Sequence, residues 1–235
     1  MPDVNQNWEY KTPHDILIAC VGTNFGDKPE DNIETIRVDR GRRGTNIRHI
    51  LGLRADERVA DIGSGCGFVT RAIIPHVAHM WCIDISPDFL EYCRGELAEF
   101  SNVSYCLAKY AEFGGIESGS LGACYSTAVF IHFNYYDLIF YLTEVNRVLK
   151  MGGRFLFDFL NSDRMNYRKT ETFQQHFKRY KANRSQKIFN VLHPMSLRTI
   201  ECVGPQLGFE VSRVDYLPSH ANDSVILRKV AATSP

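Results

Sequence analysis

Residues 59–67 read VADIGSGCG, an apolar run that contains Asp61 and continues into Gly63, Gly65 and Gly67. Glycine inside regular structure costs about 0.5–1 kcal/mol relative to alanine, so three glycines in five residues need a structural reason. The usual reason is a backbone that passes very close to a bound molecule, often a nucleotide. The stretch therefore predicts a buried strand, then a glycine-rich turn at a ligand, then a helix that begins at Phe68.

Strand and helix patterns alternate along the middle of the chain around this turn. Strands are expected at 58–63, 79–85, 102–108, 121–130 and 151–160, helices at 68–77, 86–100 and 135–150, and a closing hairpin at 208–217 and 224–230. This alternation predicts an α/β fold: a doubly wound, mostly parallel seven-stranded sheet with helices on both faces, the C-terminal hairpin supplying one antiparallel strand. In such sheets ligands bind beyond the carboxyl ends of the strands, where the glycines lie.

Composition narrows the class of protein. The 235 residues are 23% charged and 44% hydrophobic, which is ordinary for a globular domain, and the formal net charge is zero. The field of the whole molecule therefore does not attract nucleic acid or an anionic membrane. Seven scattered cysteines without a C-x-x-C pair argue against a zinc site or a disulfide framework. With no long apolar run and no signal pattern, we expect a cytoplasmic protein with no metal and no membrane partner.

The spacing of the glycines separates two kinds of nucleotide site. A dinucleotide fingerprint, G-x-G-x-x-G, would place its third glycine where Phe68 stands. The spacing D-x-G-x-G-x-G, from Asp61 to Gly67, instead resembles the first motif of class I S-adenosylmethionine-dependent methyltransferases. Asp84 in WCIDIS, the run EVNRVLKMGGRFLF (144–157) and GFEVSRV (208–214) resemble later parts of that family in the same order. The resemblance covers 45–160 well and 196–230 loosely.

The resemblance implies S-adenosylmethionine as the cofactor. The glycines would admit its methionine and ribose portions, Asp61 would orient the ammonium group, and Asp84 would accept the ribose hydroxyls. Lys109 stands where the family often has an acidic residue for the adenine amino group. Because lysine cannot accept a hydrogen bond, we expect the backbone of Lys109 or Tyr110, the neighbouring Glu112, or stacking to hold the adenine. The implied cofactor-binding residues are Asp61, Gly63, Gly65, Gly67, Asp84, Ile85, Lys109 and Tyr110.

Candidates for work on the methyl acceptor follow strands four and five. His132, in STAVFIHF, is the leading general base for a hydroxyl acceptor, since histidine suits proton transfer near neutral pH. Asp158 and Asn161, at the end of strand five, would bind or orient the acceptor, and His193 is a weaker candidate base. The expected reaction is methyl transfer to a hydroxyl of a small molecule, including phosphate-bearing or sugar-type metabolites.

Two further parts of the chain, one N-terminal and one after the fifth strand, are expected to contribute to the site. Residues 1–44 would form a lid of irregular chain, and 45–235 the cofactor-binding domain with a substrate-recognition insert at about 161–195. The basic segments 37–43 and 161–187 could bind phosphate groups, or they could be solvated helical faces. The alternatives are therefore an RNA or protein methyltransferase that uses the basic insert, a non-catalytic cofactor-binding partner subunit, and last a dinucleotide oxidoreductase.

Overall fold

The strands, and the helices that the sequence predicts in the middle of the chain, lie close to their expected positions, and three further helices are present in the described residues. The structure, a computed structural model, describes residues 12–164, 192–214 and 222–233 together with positions 174, 177, 178 and 181. Its helices are α1 (Pro13–Val21), α2 (Ile33–Leu51), α3 (Phe68–Ile73), α4 (Pro87–Glu96), α5 (Tyr135–Val148) and α6 (Leu197–Gln206). Its strands are β1 (Arg58–Ile62), β2 (His79–Asp84), β3 (Val103–Leu107), β4 (Leu121–Ser126), β5 (Leu149–Leu160), β6 (Phe209–Val214) and β7 (Asn222–Lys229).

The strands form one sheet in the order β3-β2-β1-β4-β5-β7-β6. Strands β1 to β5 pair in parallel, whereas β7 runs antiparallel to both of its neighbours, β5 and β6. The predicted mostly parallel, seven-stranded sheet with one antiparallel strand is thereby confirmed. The strand order reverses between β1 and β4, so a crevice opens at the carboxyl end of β1, directly at the glycines.

Both faces of the sheet are covered by helices, as predicted. Along β5, Phe155 and Phe157 are buried in a core with helices α5 and α6, while the intervening Leu156 is buried on the other face with α2, α3 and α4. This alternation follows from the two-residue repeat of a strand. Local signals fix the helix starts: the Ser86 hydroxyl accepts a hydrogen bond from the Phe89 N–H at 3.3 Å, and Pro87 opens α4.

Two boundaries differ from the prediction. Strand β4 ends at Ser126 instead of continuing to position 130, because Ala128 has a positive φ of 59° and the chain then forms a 3-10 turn at Phe130–His132. Strand β5 begins earlier than predicted, at Leu149, and the expected turn at Gly152 is an irregularity inside it, with a φ of 73° and a shift of register against β4.

The expectation of irregular chain near the N-terminus was wrong, because residues 33–51 form one continuous helix and 13–21 another. The proposed boundary at 44 falls inside α2. Gly41 and Gly44 do not break this helix; they give it a flat face against α3, where a Cβ on Gly44 would lie 2.7 Å from the Val69 carbonyl oxygen. Arg37 fixes α2 to α4 through two 2.8 Å hydrogen bonds to Glu96. A lid role for this segment stays a prediction.

Other expectations meet the structure only in part. The insert at about 161–195 and the basic segment 161–187 lie largely outside the described residues. All seven cysteines lie within the described residues, where they are free thiols. In the part of the chain that the structure describes, no helix is both long enough and apolar enough to cross a membrane.

Candidate functional site

A cleft of about 400 Å³ opens at the carboxyl ends of β1, β2 and β4. This volume lies in the range usual for small-molecule and cofactor sites. The glycine turn and the ends of β1 and β2 form one side, and the segment after β4 forms another. Helices α1 and α2 cover it with Ala19, Cys20, Val21, Arg40 and Arg43. Of the residues predicted from the sequence, the wall contains Gly63, Gly65, Asp84, Ile85 and His132.

The glycine turn is held against the end of β2. The N–H groups of Gly63 and Ser64 both donate to the Ile83 carbonyl oxygen, at 2.7 and 3.0 Å. Gly63, Gly65 and Gly67 have φ values of 75°, 52° and 84°, a region that other residues rarely adopt. The glycines nevertheless serve different contacts, as the space around each one indicates.

A Cβ on Gly63 would overlap the Val129 side chain across the cleft, so this glycine lets the turn approach the segment after β4. Gly65 lies beside Cys20 of α1, whose sulfur would be 3.1 Å from an added Cβ. Gly67 faces away from the cleft, where a Cβ would lie 2.7 Å from the Cys93 sulfur of α4. The structure thus places Gly63 and Gly65 at the cleft and Gly67 in the packing of two helices.

Asp84 ends β2 with its carboxylate at the cleft wall. One carboxylate oxygen accepts the Gly65 N–H at 2.9 Å and the other accepts the Ser86 N–H at 3.0 Å. Burial raises the pKa of Asp84 to about 6, although these backbone hydrogen bonds oppose the shift. A carboxylate has about four acceptor positions, so two bonds leave capacity for donors on a ligand.

Asp61 lies beneath the turn, buried in the interior. It accepts a hydrogen bond from the Thr70 hydroxyl at 2.5 Å, and Thr70 in turn lies 3.3 Å from the Tyr125 hydroxyl. Burial raises the pKa of Asp61 to about 7. Asp61 is absent from the described wall of the cleft, and its hydrogen bond with Thr70 ties helix α3 to the end of β1.

The structure places Lys109 and Tyr110 outside the described wall of the cleft. Lys109 is exposed, and its backbone N–H donates to the Glu112 carbonyl oxygen at 3.3 Å. Tyr110 donates from its hydroxyl to Asp137 at 2.5 Å. Ala108 takes the expected place at the wall, and its N–H donates to the Asp84 carbonyl oxygen at 2.9 Å. Together with Ile85, it makes this end of the cleft apolar.

His132 lines the cleft from the 3-10 turn after β4 and is half-buried. Asp158 supports that wall from behind: its carboxylate accepts the Ala128 N–H at 2.7 Å and so fixes the strained turn. Burial raises the pKa of Asp158 to about 6. Asn161 is buried and donates to Asp223 at 2.6 Å. His193 contacts the same turn through its N–H, which donates to the Ile131 carbonyl oxygen at 2.8 Å.

Among the wall residues that were not predicted as site residues are one thiol and two guanidinium groups, those of Cys20, Arg40 and Arg43. The Cys20 sulfur accepts the Cys66 N–H at 3.4 Å, and its hydrogen bond with the Cys66 side chain, together with the charge of Arg40, lowers the pKa of its thiol. The basic run 37–43 was visible in the sequence. Because this run is part of the helix α2, Arg37 faces α4 whereas Arg40 and Arg43 lie at the cleft.

Comparisons with known proteins identify a methyltransferase domain in this chain. Residues 60–157 match the family model described as a methyltransferase domain. The demethylmenaquinone methyltransferases of two Tropheryma whipplei strains are 32% identical over 105 residues, which is 45% of this chain and 42% of theirs. The chain thus matches less than half the length of these curated relatives.

Solved structures share the fold at low sequence identity. The YcgJ protein of Bacillus subtilis is 15% identical with a TM-score of 0.64, over 81% of this chain and 99% of its own. The N-methyltransferase NodS of Bradyrhizobium japonicum, solved with S-adenosylhomocysteine, is 15% identical with a TM-score of 0.58, over 82% and 87%. Residues 60–157 thus match a methyltransferase domain, and the solved structures share its fold; together these matches support a class I S-adenosylmethionine-dependent methyltransferase.

Proposed function

We propose that the protein transfers the methyl group of S-adenosylmethionine to a hydroxyl of a small-molecule acceptor. The observation that carries this proposal is that one cleft brings together the glycine turn, the buried carboxylate of Asp84 and the imidazole of His132. When bound, the cofactor supplies an electrophilic methyl group on a positively charged sulfur. The protein then has to hold both reactants, exclude water and remove one proton.

The residues of the cleft fit this cofactor. The backbone at Gly63 and Gly65 has no side chain between it and the cleft, and both glycines need the positive φ of the turn. Asp84 keeps acceptor capacity for a pair of vicinal hydroxyls, and charge-assisted hydrogen bonds of this kind are the strong ones. Ile85 and Ala108 offer an apolar surface for a flat base. These features support a nucleoside with an exposed ribose diol.

His132 is the group assigned to the acceptor proton. His132 and Phe133 both line the cleft, on the wall that Asp158 and the Ala128 turn stabilise. A hydroxyl becomes a competent nucleophile as its proton leaves, and a neutral imidazole within hydrogen-bond reach accepts that proton near neutral pH. The surrounding apolar side chains restrict water.

Two observations support a small acceptor. Residues of α1 and α2 line the cleft, and its volume of about 400 Å³ suits a compact molecule. The relatives from Tropheryma whipplei are demethylmenaquinone methyltransferases by name, which gives a small-molecule acceptor in that case. The choice of a hydroxyl acceptor rests on His132.

Calorimetry and a turnover assay test the proposal. We expect S-adenosylhomocysteine to bind and NAD to show no binding; the reverse result would reject the cofactor. A panel of phenols, sugars and hydroxy acids is then screened for S-adenosylhomocysteine release, with total RNA as a parallel acceptor. Incorporation into RNA alone would favour the polymer alternative, and binding without turnover on any acceptor would favour a non-catalytic partner.

A pair of histidine variants then tests the base. His132→Asn should lower kcat by about 10²–10⁴-fold while S-adenosylhomocysteine binding persists. His193→Asn, a change in a histidine that contacts the same turn through its backbone, should leave kcat within a few-fold. Full activity in His132→Asn would remove the base assignment.

A further inference from the structure

Arg40 lines the cleft and is unusual because its side chain is mostly buried without a closely paired acceptor among the described residues. Its side chain is only 13% exposed, and the nearest carboxylate oxygen, on Asp39, lies 3.6 Å from its Nη1. Within the described residues its guanidinium makes no hydrogen bond, and its other close neighbour is the ring of Phe25, with the centroid 5.7 Å away. Burial lowers the pKa of Arg40, which is the direction expected for a cation without a strong partner.

Three other partly buried arginines among the described residues are paired closely. Arg37 is 34% exposed and has two 2.8 Å hydrogen bonds to Glu96. Arg147 is 36% exposed and donates to Glu144 at 2.7 Å from two of its nitrogens. Arg154 is 22% exposed and donates to Glu57 at 2.7 Å. Arg40 is more buried than all three and lines the cleft, yet within the described residues its guanidinium has no comparable acceptor.

The position of Arg40 identifies the part of the cleft concerned. It stands on α2 close to Cys20, which receives the Cys66 N–H and lies against Gly65 of the glycine turn. Arg43 lies three residues further along, on the same face of the helix, and also lines the cleft. The face of α2 that lines the cleft therefore carries two guanidinium groups, and their shared neighbour Asp39 lies 3.6 Å from Arg40 and 3.9 Å from Arg43.

We propose that Arg40, with Arg43 beside it, forms a carboxylate-binding position in the cleft. This inference rests on the proposed function, because it assigns a ligand group within the same site. A guanidinium matches a carboxylate with two parallel hydrogen bonds, and a bound carboxylate would supply the acceptor that Arg40 lacks. The carboxylate comes either from the amino-acid end of the cofactor or from the acceptor; proximity to the glycine turn favours the cofactor.

The test compares two nucleosides that differ at the amino-acid end. S-adenosylhomocysteine carries the carboxylate, whereas 5′-methylthioadenosine retains the adenosine and sulfur without it. Arg40→Gln should weaken S-adenosylhomocysteine binding by about 10- to 100-fold in calorimetry and leave methylthioadenosine binding within about two-fold. Arg42→Gln, a change in an exposed arginine of the same helix, should alter neither. Retained methylthioadenosine binding also demonstrates that the variant is folded.

A second arm separates the two sources. With saturating S-adenosylhomocysteine, 4-hydroxybenzoate and its neutral counterpart 4-hydroxybenzamide are titrated into the wild type and Arg40→Gln. Selective loss of the benzoate, with unchanged S-adenosylhomocysteine affinity, would assign the carboxylate to the acceptor. If Arg40→Gln changes neither ligand, the inference is overturned while the proposed function stands. If the wild type binds neither nucleoside, both fail together.

Discussion

Affinity for S-adenosylhomocysteine should depend on pH through Asp84. The pKa of this carboxyl is raised to about 6 by burial, and only its ionised form is a full acceptor for ribose hydroxyls. At pH 7.5 the carboxyl is about 97% ionised and at pH 5 about 9%, so the apparent Kd should rise about tenfold between these values. The amino and carboxyl groups of the ligand do not titrate in this range, which makes the protein the source of the change.

Asp84→Asn tests the assignment directly. The amide keeps the shape of the side chain but turns one acceptor oxygen into a donor, opposite the N–H of Gly65 or Ser86. Hydrogen bonds to charged groups contribute about 1.5–3 kcal/mol, so we expect about 10- to 100-fold weaker binding and no pH dependence between 5 and 7.5. Asp56→Asn, at a carboxyl that is 76% exposed, is the charge-matched control. A flat pH profile in the wild type would refute the reasoning, as would an unchanged slope in Asp84→Asn.

Stability of the ligand-free protein should move in the opposite direction. Because the folded-state pKa of Asp84 lies above its ordinary value, ionisation opposes folding, and this penalty disappears as the pH falls through about 6 toward 4. Acidification within this window should therefore raise the unfolding free energy while it lowers the affinity. Parallel loss of both would indicate general acid damage to the fold instead.

Three further changes test the site and its surroundings. Gly63→Ala should abolish S-adenosylhomocysteine binding, since it adds a clash at a φ of 75°, whereas Gly114→Ala, with open space around it, should bind normally in the same calorimetric assay. In denaturant titrations, the unfolding free energy of Asp61→Asn should rise by about 2–3 kcal/mol relative to that of the wild type as the pH goes from 5 to 8. The reason is that the wild type, with an Asp61 pKa of about 7, loses stability as this carboxyl ionises. A difference that stays constant with pH would contradict a buried Asp61. In a mass-spectrometric time course, iodoacetamide should modify Cys20, which lines the cleft, and S-adenosylhomocysteine should slow this modification. The exposed Cys202 should react equally with and without the ligand. Equal modification of Cys20 in both conditions would argue against ligand contact at this residue.

Features encoded over a few residues were predictable from the sequence. The strand, turn and helix around Gly63 follow from local pattern, and Asp84 is found because it ends the next strand. Ser86 and Pro87 mark the start of α4 through the chemistry of a helix N-terminus. The sheet order itself was foreseen only as a fold class, from the alternation of elements and from the resemblance.

Features that depend on long-range packing were not predictable in the same way. Gly44 resembles a helix breaker in sequence, but the close approach of α3 makes it a packing residue. Asp158 has the position expected of a substrate ligand. Its carboxylate instead accepts the backbone N–H of Ala128, a residue with a positive φ. Arg40 becomes a residue of interest only when helix geometry separates it from the paired Arg37. Each case depends on a neighbour distant in sequence.

The close packing of α2 against α3 affects how molecules enter and leave the cleft. With Gly44 against the Val69 carbonyl and Arg37 clamped to Glu96, α2 belongs to the rigid frame, and moving it would disturb the helix that begins at the glycine turn. Ligand exchange is then expected to proceed past α1, which joins the frame through glycines at positions 22 and 26, both with positive φ. The rate of product departure would thus be governed by how tightly α1 packs on Phe68 and Phe89, separately from the chemistry beneath it.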